Sequence, residues 1–262
     1  MIYIFIFLFG LIIGSFLNVV IYRYNSGKTL NGRSMCMSCG KKLSWKELIP
    51  VFSFLYQKGK CSNCSARISW QYLIVEIVTG IVFVLTFNHF AYLLNISLGY
   101  FIFFMVLFLL MFSILIIIAV YDLRHKIIPD DLVYLFAVLA LASNFIGLNG
   151  LQIASNDSML AGILLALPFA LLWLVSHGKW MGFGDAKLAL GIGWLLGSFL
   201  GLTAIVLSFW IGAIVSVLMI LFLRKKVKKH MEIPFAPFLI IGMLLVFFFN
   251  IDLFTLSSLF VF

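Results

Sequence analysis

The chain breaks into long apolar runs separated by short polar connections. The runs are Met1 to Tyr22, Tyr72 to Leu94, Leu98 to Tyr121, Leu132 to Leu148, Met159 to Ser176, Ala186 to Leu200, Leu202 to Leu223, and Phe235 to about Phe262, the last interrupted by Asn250 and Asp252. A helix needs about 20 apolar residues to cross the hydrocarbon of a bilayer. The pattern therefore predicts an all-α integral membrane protein of about eight transmembrane helices. Because the first run has no basic stretch ahead of it and no small-residue cleavage site, a permanent span is expected there rather than a removable signal peptide.

Composition agrees and excludes a soluble domain: of 262 residues 64% are hydrophobic and 10% charged, and the mean hydropathy is +1.19. Soluble folds carry roughly a quarter charged residues. The expected organisation is a first transmembrane helix over 1–22, a loop over 23–70, and a membrane core of about seven helices over 71–262.

A net charge of +9 could suggest nucleic acid, but the placement of the cations argues otherwise. The loop after the first run holds Arg23, Lys28, Arg33, Lys41, Lys42, Lys46, Lys58, Lys60 and Arg67 against the single acid Glu47. Arg124 and Lys126 follow the third run, Lys179 and Lys187 flank the junction of the fifth and sixth, and Arg224, Lys225, Lys226, Lys228 and Lys229 follow the seventh. Connections near Asn88, Asn149 to Asp157 and Gly201 contain no cation. This alternation is the positive-inside pattern of an inner (cytoplasmic) membrane protein with both termini outside. The basic loops then face anionic lipid headgroups rather than nucleic acid.

All four cysteines lie in the long loop, as Cys36-Met37-Ser38-Cys39 and Cys61-Ser62-Asn63-Cys64. Two such pairs predict a tetrahedral, structural zinc site, with Gly40 relieving the turn after the first knuckle. Disulfides or unligated thiols are the alternatives, and a reducing cytoplasm disfavours the former.

Only nine acids occur in the chain, so an acid near a span is informative. Asp122 ends the third run and Asp185 begins the sixth, both at cytoplasmic ends by the charge argument. Facing carboxyls cannot both ionise easily, so one keeps a proton while the other acts as a base toward water. The bland alternatives are pairing of Asp122 with Arg124 or Lys126, and Asp185 as the N-cap of its helix. Gly182 and Gly184 beside Asp185 allow close backbone approach, which favours the paired reading. No Gly-x-Ser-x-Gly elbow or His-Glu-x-x-His motif occurs, so serine and zinc protease chemistry is unsupported. Glu76 and Asn18 are expected to make interhelical hydrogen bonds. Gly193, Gly197 and Gly201, four apart, are expected to form a smooth packing face on the sixth helix.

Six blocks of sequence together resemble the type IV prepilin peptidase family: Gly14 to Arg23, the two cysteine pairs, Ile68 to Glu76, Asp122 to Asp130, Gly182 to Leu188, and Ile233 to Phe238. In the last block Ala236 stands where the family pattern has glycine, a departure expected not to touch the carboxylates. The resemblance implies that Asp122 and Asp185 are a catalytic aspartyl pair cutting the short basic leader from type IV prepilins or pseudopilins at the cytoplasmic face. It also implies N-methylation of the new N-terminus with S-adenosylmethionine, for which the sequence offers no recognisable cofactor-binding residues. A presenilin-like protease shares the Tyr121-Asp122 and Gly182 to Asp185 motifs but lacks the cysteine insert. A proton-coupled transporter would hold its acids nearer the midplane.

Overall fold

The computed structural model describes residues 1–27, 29, 32–147, 150–151, 156–222 and 233–253. Its helices are α1 (Ile2–Arg23), α2 (Phe52–Tyr56), α3 (Trp70–Phe90), α4 (Leu98–His125), α5 (Asp130–Ser143), α6 (Asn156–Ser176), α7 (Phe183–Phe222) and α8 (Ala236–Phe249). Five stretches, Ile2–Arg23, Trp70–Asn95, Leu98–His125, Asp157–Ser176 and Phe183–Phe222, are long and apolar enough to cross a membrane. Among the described residues the only strands are a two-residue antiparallel pair, Ile146–Gly147 with Gly150–Leu151. The chain divides into two compact units, Met1–Ile117 and Ile118–Phe262.

In the first unit α1 packs along α3. A Cβ added at Gly10 would lie 2.7 Å from the Gly80 Cα, and one at Gly14 would lie 2.7 Å from the Glu76 Cα. Small residues four apart let the two backbones touch, the usual device for joining helices where lipid removes the hydrophobic incentive. Asn18 adds polar glue by donating to the carbonyls of Gly14 (3.3 Å) and Tyr72 (3.2 Å). Aromatic contacts continue the packing from α3 to α4, with Phe90 and Phe108 centroids 4.7 Å apart.

In the second unit α7 is the centre, packed against α5, α6 and α8. A straight helix of its 40 residues would be about 60 Å long, twice the bilayer core. It is not straight. Gly197 takes φ 79, ψ −179, and a Cβ on Gly201 would sit 3.6 Å from the Gly193 Cα. Eight residues along a continuous helix would separate those positions by about 12 Å, so the chain folds back on itself at Gly197. The Asp157 carboxylate receives the Ser198 N–H (3.4 Å) and the Ser198 hydroxyl at this reversal. Two antiparallel arms result, matching the expectation of two spans here; with the five-residue α2 set aside, the described helices then number eight.

Two expectations need correction. The break falls at Gly197, so Gly197 is the turn and not part of a packing face. Gly193 and Gly201, from opposite arms, do both face α6, against Ala161 and Leu165 respectively. The fourth run is shorter than expected: α5 ends at Ser143, where the Asn144 amide donates to the Trp194 carbonyl at 2.6 Å. Helix α8 ends at Phe249, followed by Asn250 in the left-handed conformation, so the last run is interrupted at Asn250 as its sequence suggests. Residues 254–262 and the basic run from Arg224 to Lys229 lie outside the described residues.

Candidate active site and metal centre

In the first unit the insert brings the four cysteines together, their Sγ atoms all within 4.8 Å of one another. Each pair is a tight knuckle closed in the same way. The Cys36 N–H donates to the Lys41 carbonyl and the Gly40 N–H to the Cys36 carbonyl, both at 2.9 Å. In the second knuckle the Cys61 N–H donates to the Ala66 carbonyl (2.9 Å) and the Ser65 N–H to the Cys61 carbonyl (3.0 Å). Gly40 and Ser65 occupy equivalent left-handed positions, φ 70 and φ 56. Backbone bridges Met35–Lys42 and Lys60–Arg67 seal the two ends.

Four sulfurs at about 2.3 Å from a tetrahedral ion stand roughly 3.8 Å apart. The Cys36 and Cys64 Sγ atoms are 3.9 Å apart, so this donor set fits zinc. The Lys41 N–H, and then the Asn63 amide, lower the Cys39 thiol to about 6. Around the sulfurs, Lys41 Nζ donates to Glu47 (3.0 Å) and to the Ser62 hydroxyl (2.7 Å), and Ser62 in turn donates to Glu47. The Ser44 N–H leads the donors that hold Glu47 down to about 2. One carboxylate thus ties both knuckles to the 3₁₀ turn Trp45–Leu48.

Glu76 and Asn18 make the interhelical bonds expected of them, and Glu76 does more. Its carboxylate accepts the Ser15 hydroxyl and the Val51 N–H at 2.7 Å, which pins the insert to α3.

In the second unit Asp122 and Asp185 are both buried, at 4% and 6% exposure, and within electrostatic reach of each other. Asp122 lies one turn before the end of α4, where Lys126 at φ 54 closes the helix by donating its N–H to the Asp122 carbonyl (2.8 Å). Asp185 sits in the first turn of α7, which starts at Phe183, and so is not an N-cap. Gly184 carries the approach: a Cβ there would lie 2.8 Å from the Ile128 Cβ, in the segment leaving Asp122. Gly182 has no such contact within 3.9 Å, its added Cβ meeting only the Asp185 carboxylate and the Gly184 nitrogen at 4.0 Å. A second clasp joins the same segments, with Lys187 Nζ 2.8 Å from Asp130 and 5.0 Å above the Tyr134 ring.

One partner of Asp122 was not expected. The Ala236 N–H, at the start of α8, hydrogen-bonds its carboxylate, so the block bearing alanine in place of glycine does touch the pair. It does so through the backbone, which every residue type but proline supplies, and side-chain patterns could not reveal it. Asp185 Oδ1 is buried with no hydrogen-bond partner among the described residues.

Two family models match the chain. Residues 8–90 match the bacterial Peptidase A24 N-terminal domain and residues 109–217 the type IV leader peptidase family. A prepilin leader peptidase/N-methyltransferase of Bacillus subtilis is 34% identical over 92% of each chain. The chain belongs to the type IV leader peptidase family. Proteins of the same name from Vibrio cholerae (30% identical, 94% of this chain and 97% of theirs) and Pseudomonas aeruginosa (31%, 90% and 86%) are similar over comparable lengths. No solved structure is a significant match. The first match spans α1, the cysteine insert and α3, and the second reaches from α4 into the second arm of α7, including both aspartates. This leader peptidase is therefore a membrane protease whose family-matched core contains the buried acid pair.

Proposed function

We propose that this leader peptidase is an aspartyl endopeptidase in which Asp122 and Asp185 share one proton and remove the basic leader of type IV prepilins or pseudopilins. The observation that carries the reading is two carboxyls, 4% and 6% exposed, held within electrostatic reach by the Gly184–Ile128 approach. A buried acid in a membrane protein is costly and calls for a function.

Asp122, which already accepts the Ala236 N–H, takes the role of carboxylate. It draws a proton from a water molecule, and the oxygen attacks the scissile carbonyl carbon. Asp185 gives its proton to the carbonyl oxygen, so charge never builds up in a buried site. When the tetrahedral intermediate collapses, the C–N bond breaks, the leaving nitrogen takes the proton from Asp122, and Asp185 recovers its own. No covalent intermediate forms.

The distribution of cations supports a cytoplasmic side for the aspartate ends of α4 and α7. A leader rich in Lys or Arg stays on that side for the same reason, while the apolar helix behind it lies in the bilayer. The relatives' names support a second step, N-methylation of the new N-terminus with S-adenosylmethionine, and no residue is assigned to that donor here. Cys36, Cys39, Cys61 and Cys64 hold a structural zinc that supplies folding energy to a small insert with little core of its own.

The test is cleavage of a purified prepilin by Asp122→Asn and Asp185→Asn in proteoliposomes. Each should lose about 10²–10⁴-fold, the range that general acid–base groups supply, while remaining folded. Near-normal cleavage by either variant would reject the pair.

A further inference from the structure

We infer that residues 45–56 of the cysteine insert form a wedge seated in the membrane interface, and that this wedge binds anionic phospholipid. The starting observation is exposure. Trp45 (69%), Phe52 (61%), Leu55 (60%) and Tyr56 (91%) project outward from the 3₁₀ turn and α2, with Leu48 and Ile49 beside them. Phe54 turns inward instead, 5.2 Å from the Trp70 ring and against Gly59. The segment therefore has one face on the protein and one apolar face without protein cover among the described residues. So many large apolar side chains left in contact with water would be costly and unusual.

Depth decides what covers it. The Val51 N–H is bonded to Glu76 at 2.7 Å, and Glu76 lies six residues beyond Trp70, the first residue of α3. At 1.5 Å per residue the Glu76 Cα is about 9 Å below the start of that helix, and its carboxylate, leaning back toward the N-terminus, holds the Val51 backbone below that start but above the Glu76 Cα. The same segment meets α1 far from its end. Trp45, Leu48, Ile49 and Pro50 line a groove of about 490 Å³ with Ile12 and Phe16 of α1. Phe16 lies seven residues before Arg23, the end of α1, or roughly 10 Å along the helix. Ile12 and Phe16 are 58% and 53% exposed on an apolar helix, so the material facing them is acyl chain, and the insert's apolar side chains share that level. Penetration of about 5–10 Å is the depth at which interfacial amphipathic elements lie.

Charge selects the lipid. Lys46, Lys58 and Lys60 are exposed around the apolar face, with Lys46 Nζ 5.5 Å above the Trp45 ring. The acid of this segment, Glu47, is occupied by Lys41, Ser44 and Ser62. Exposed cations within and next to an apolar wedge match a phosphate headgroup above its own acyl chains. This inference rests on α1 and α3 spanning the membrane and is independent of the aspartyl chemistry, so the two can fail separately.

The test places p-benzoylphenylalanine at Phe52 or Leu55 of the full chain, in vesicles of phosphatidylcholine with phosphatidylglycerol, with Phe16 as the lipid-facing reference and zinc content as the check on folding. Lipid adducts should form at all three positions. At Phe52 and Leu55 the phosphatidylglycerol share should exceed its mole fraction about twofold or more. The combined variant Lys46→Gln, Lys58→Gln, Lys60→Gln should bring that share back to the mole fraction. A zinc-loaded chain giving adducts at Phe16 but none at Phe52 and Leu55 overturns the inference, as do adducts there only with an added prepilin. A phosphatidylglycerol share equal to its mole fraction in the unaltered chain overturns the preference for anionic lipid.

Discussion

Replacing Gly184 with alanine probes the aspartyl reading without altering either carboxyl group. The new Cβ would stand 2.8 Å from the Ile128 Cβ, 3.1 Å from Cδ1 and 3.3 Å from Cγ1. Unstrained carbon atoms keep about 3.5–4.0 Å, so the Asp185 segment must retreat from the Asp122 segment by roughly 0.7–1.2 Å. Overpacking of this kind costs about 1–3 kcal/mol of stability, while a 1 Å error in placing a catalytic group costs about 10²-fold in rate. The expected outcome is a folded protein whose kcat/KM for prepilin cleavage in proteoliposomes falls about 100-fold. A second change separates this cause from general damage. Ile128→Ala keeps the Cβ that makes the shortest contact, so it should rescue Gly184→Ala little, whereas Ile128→Gly should recover about tenfold, a coupling usual for touching residues. Cleavage by Gly184→Ala within about threefold of the unaltered enzyme would refute the geometry, and so would equal rescue by the two Ile128 variants.

Metal analysis of protein purified without chelator should give about one zinc per chain, released by Cys61→Ser or by a strong chelator, with faster proteolysis in the insert; absence of zinc sinks the structural site. Ala236→Gly should change cleavage by less than about threefold, because the donor to Asp122 is the backbone N–H and survives, and a loss beyond about tenfold would show that the side chain matters. Single cysteines placed near Asn88, near Gly150 and within Lys225 to Lys229, in a chain lacking the native four, should react with an impermeant reagent in intact cells at the first two sites and only after lysis at the third. The reverse pattern would overturn both the topology and the cutting side.

The residue types that carry the zinc and acid-pair readings were visible in the sequence because their chemistry depends on side chains. Four thiols in two knuckles and two acids at the ends of apolar runs announce themselves when only 10% of residues are charged. What could not be read is whatever the backbone or distant geometry decides. The Ala236 N–H on Asp122 leaves no trace in residue identity. Gly197 looked like one member of a small-residue stripe, since a glycine that turns the chain and a glycine that packs are the same letter. Its φ of 79 and the carboxylate of Asp157, 41 residues away, at Ser198 settle which it is. Lys187 was counted as a marker of sidedness, yet its ion pair with Asp130 at 2.8 Å joins α7 to α5 beside the acids. Charge patterns show which side a lysine is on and not what it holds.

Helix length links these local features to the demands of proteolysis in a membrane. Helices α5 and α8 have 14 residues each, and the arm of α7 from 183 to 196, before the Gly197 reversal, has the same length. Each is therefore about 21 Å long, well short of a hydrocarbon core of about 30 Å. A bilayer meets short helices by thinning locally. Asp185 begins one of these arms, and the N–H donated to Asp122 begins another, α8. An acid at the end of a short helix, as Asp185 is, can be buried in protein and still lie within reach of water, which peptide hydrolysis consumes. The Gly197 reversal thus does two things at once. It divides a 40-residue helix into two arms, and it keeps the arm that carries Asp185 short, which on the aspartyl reading proposed above leaves that carboxyl within reach of water.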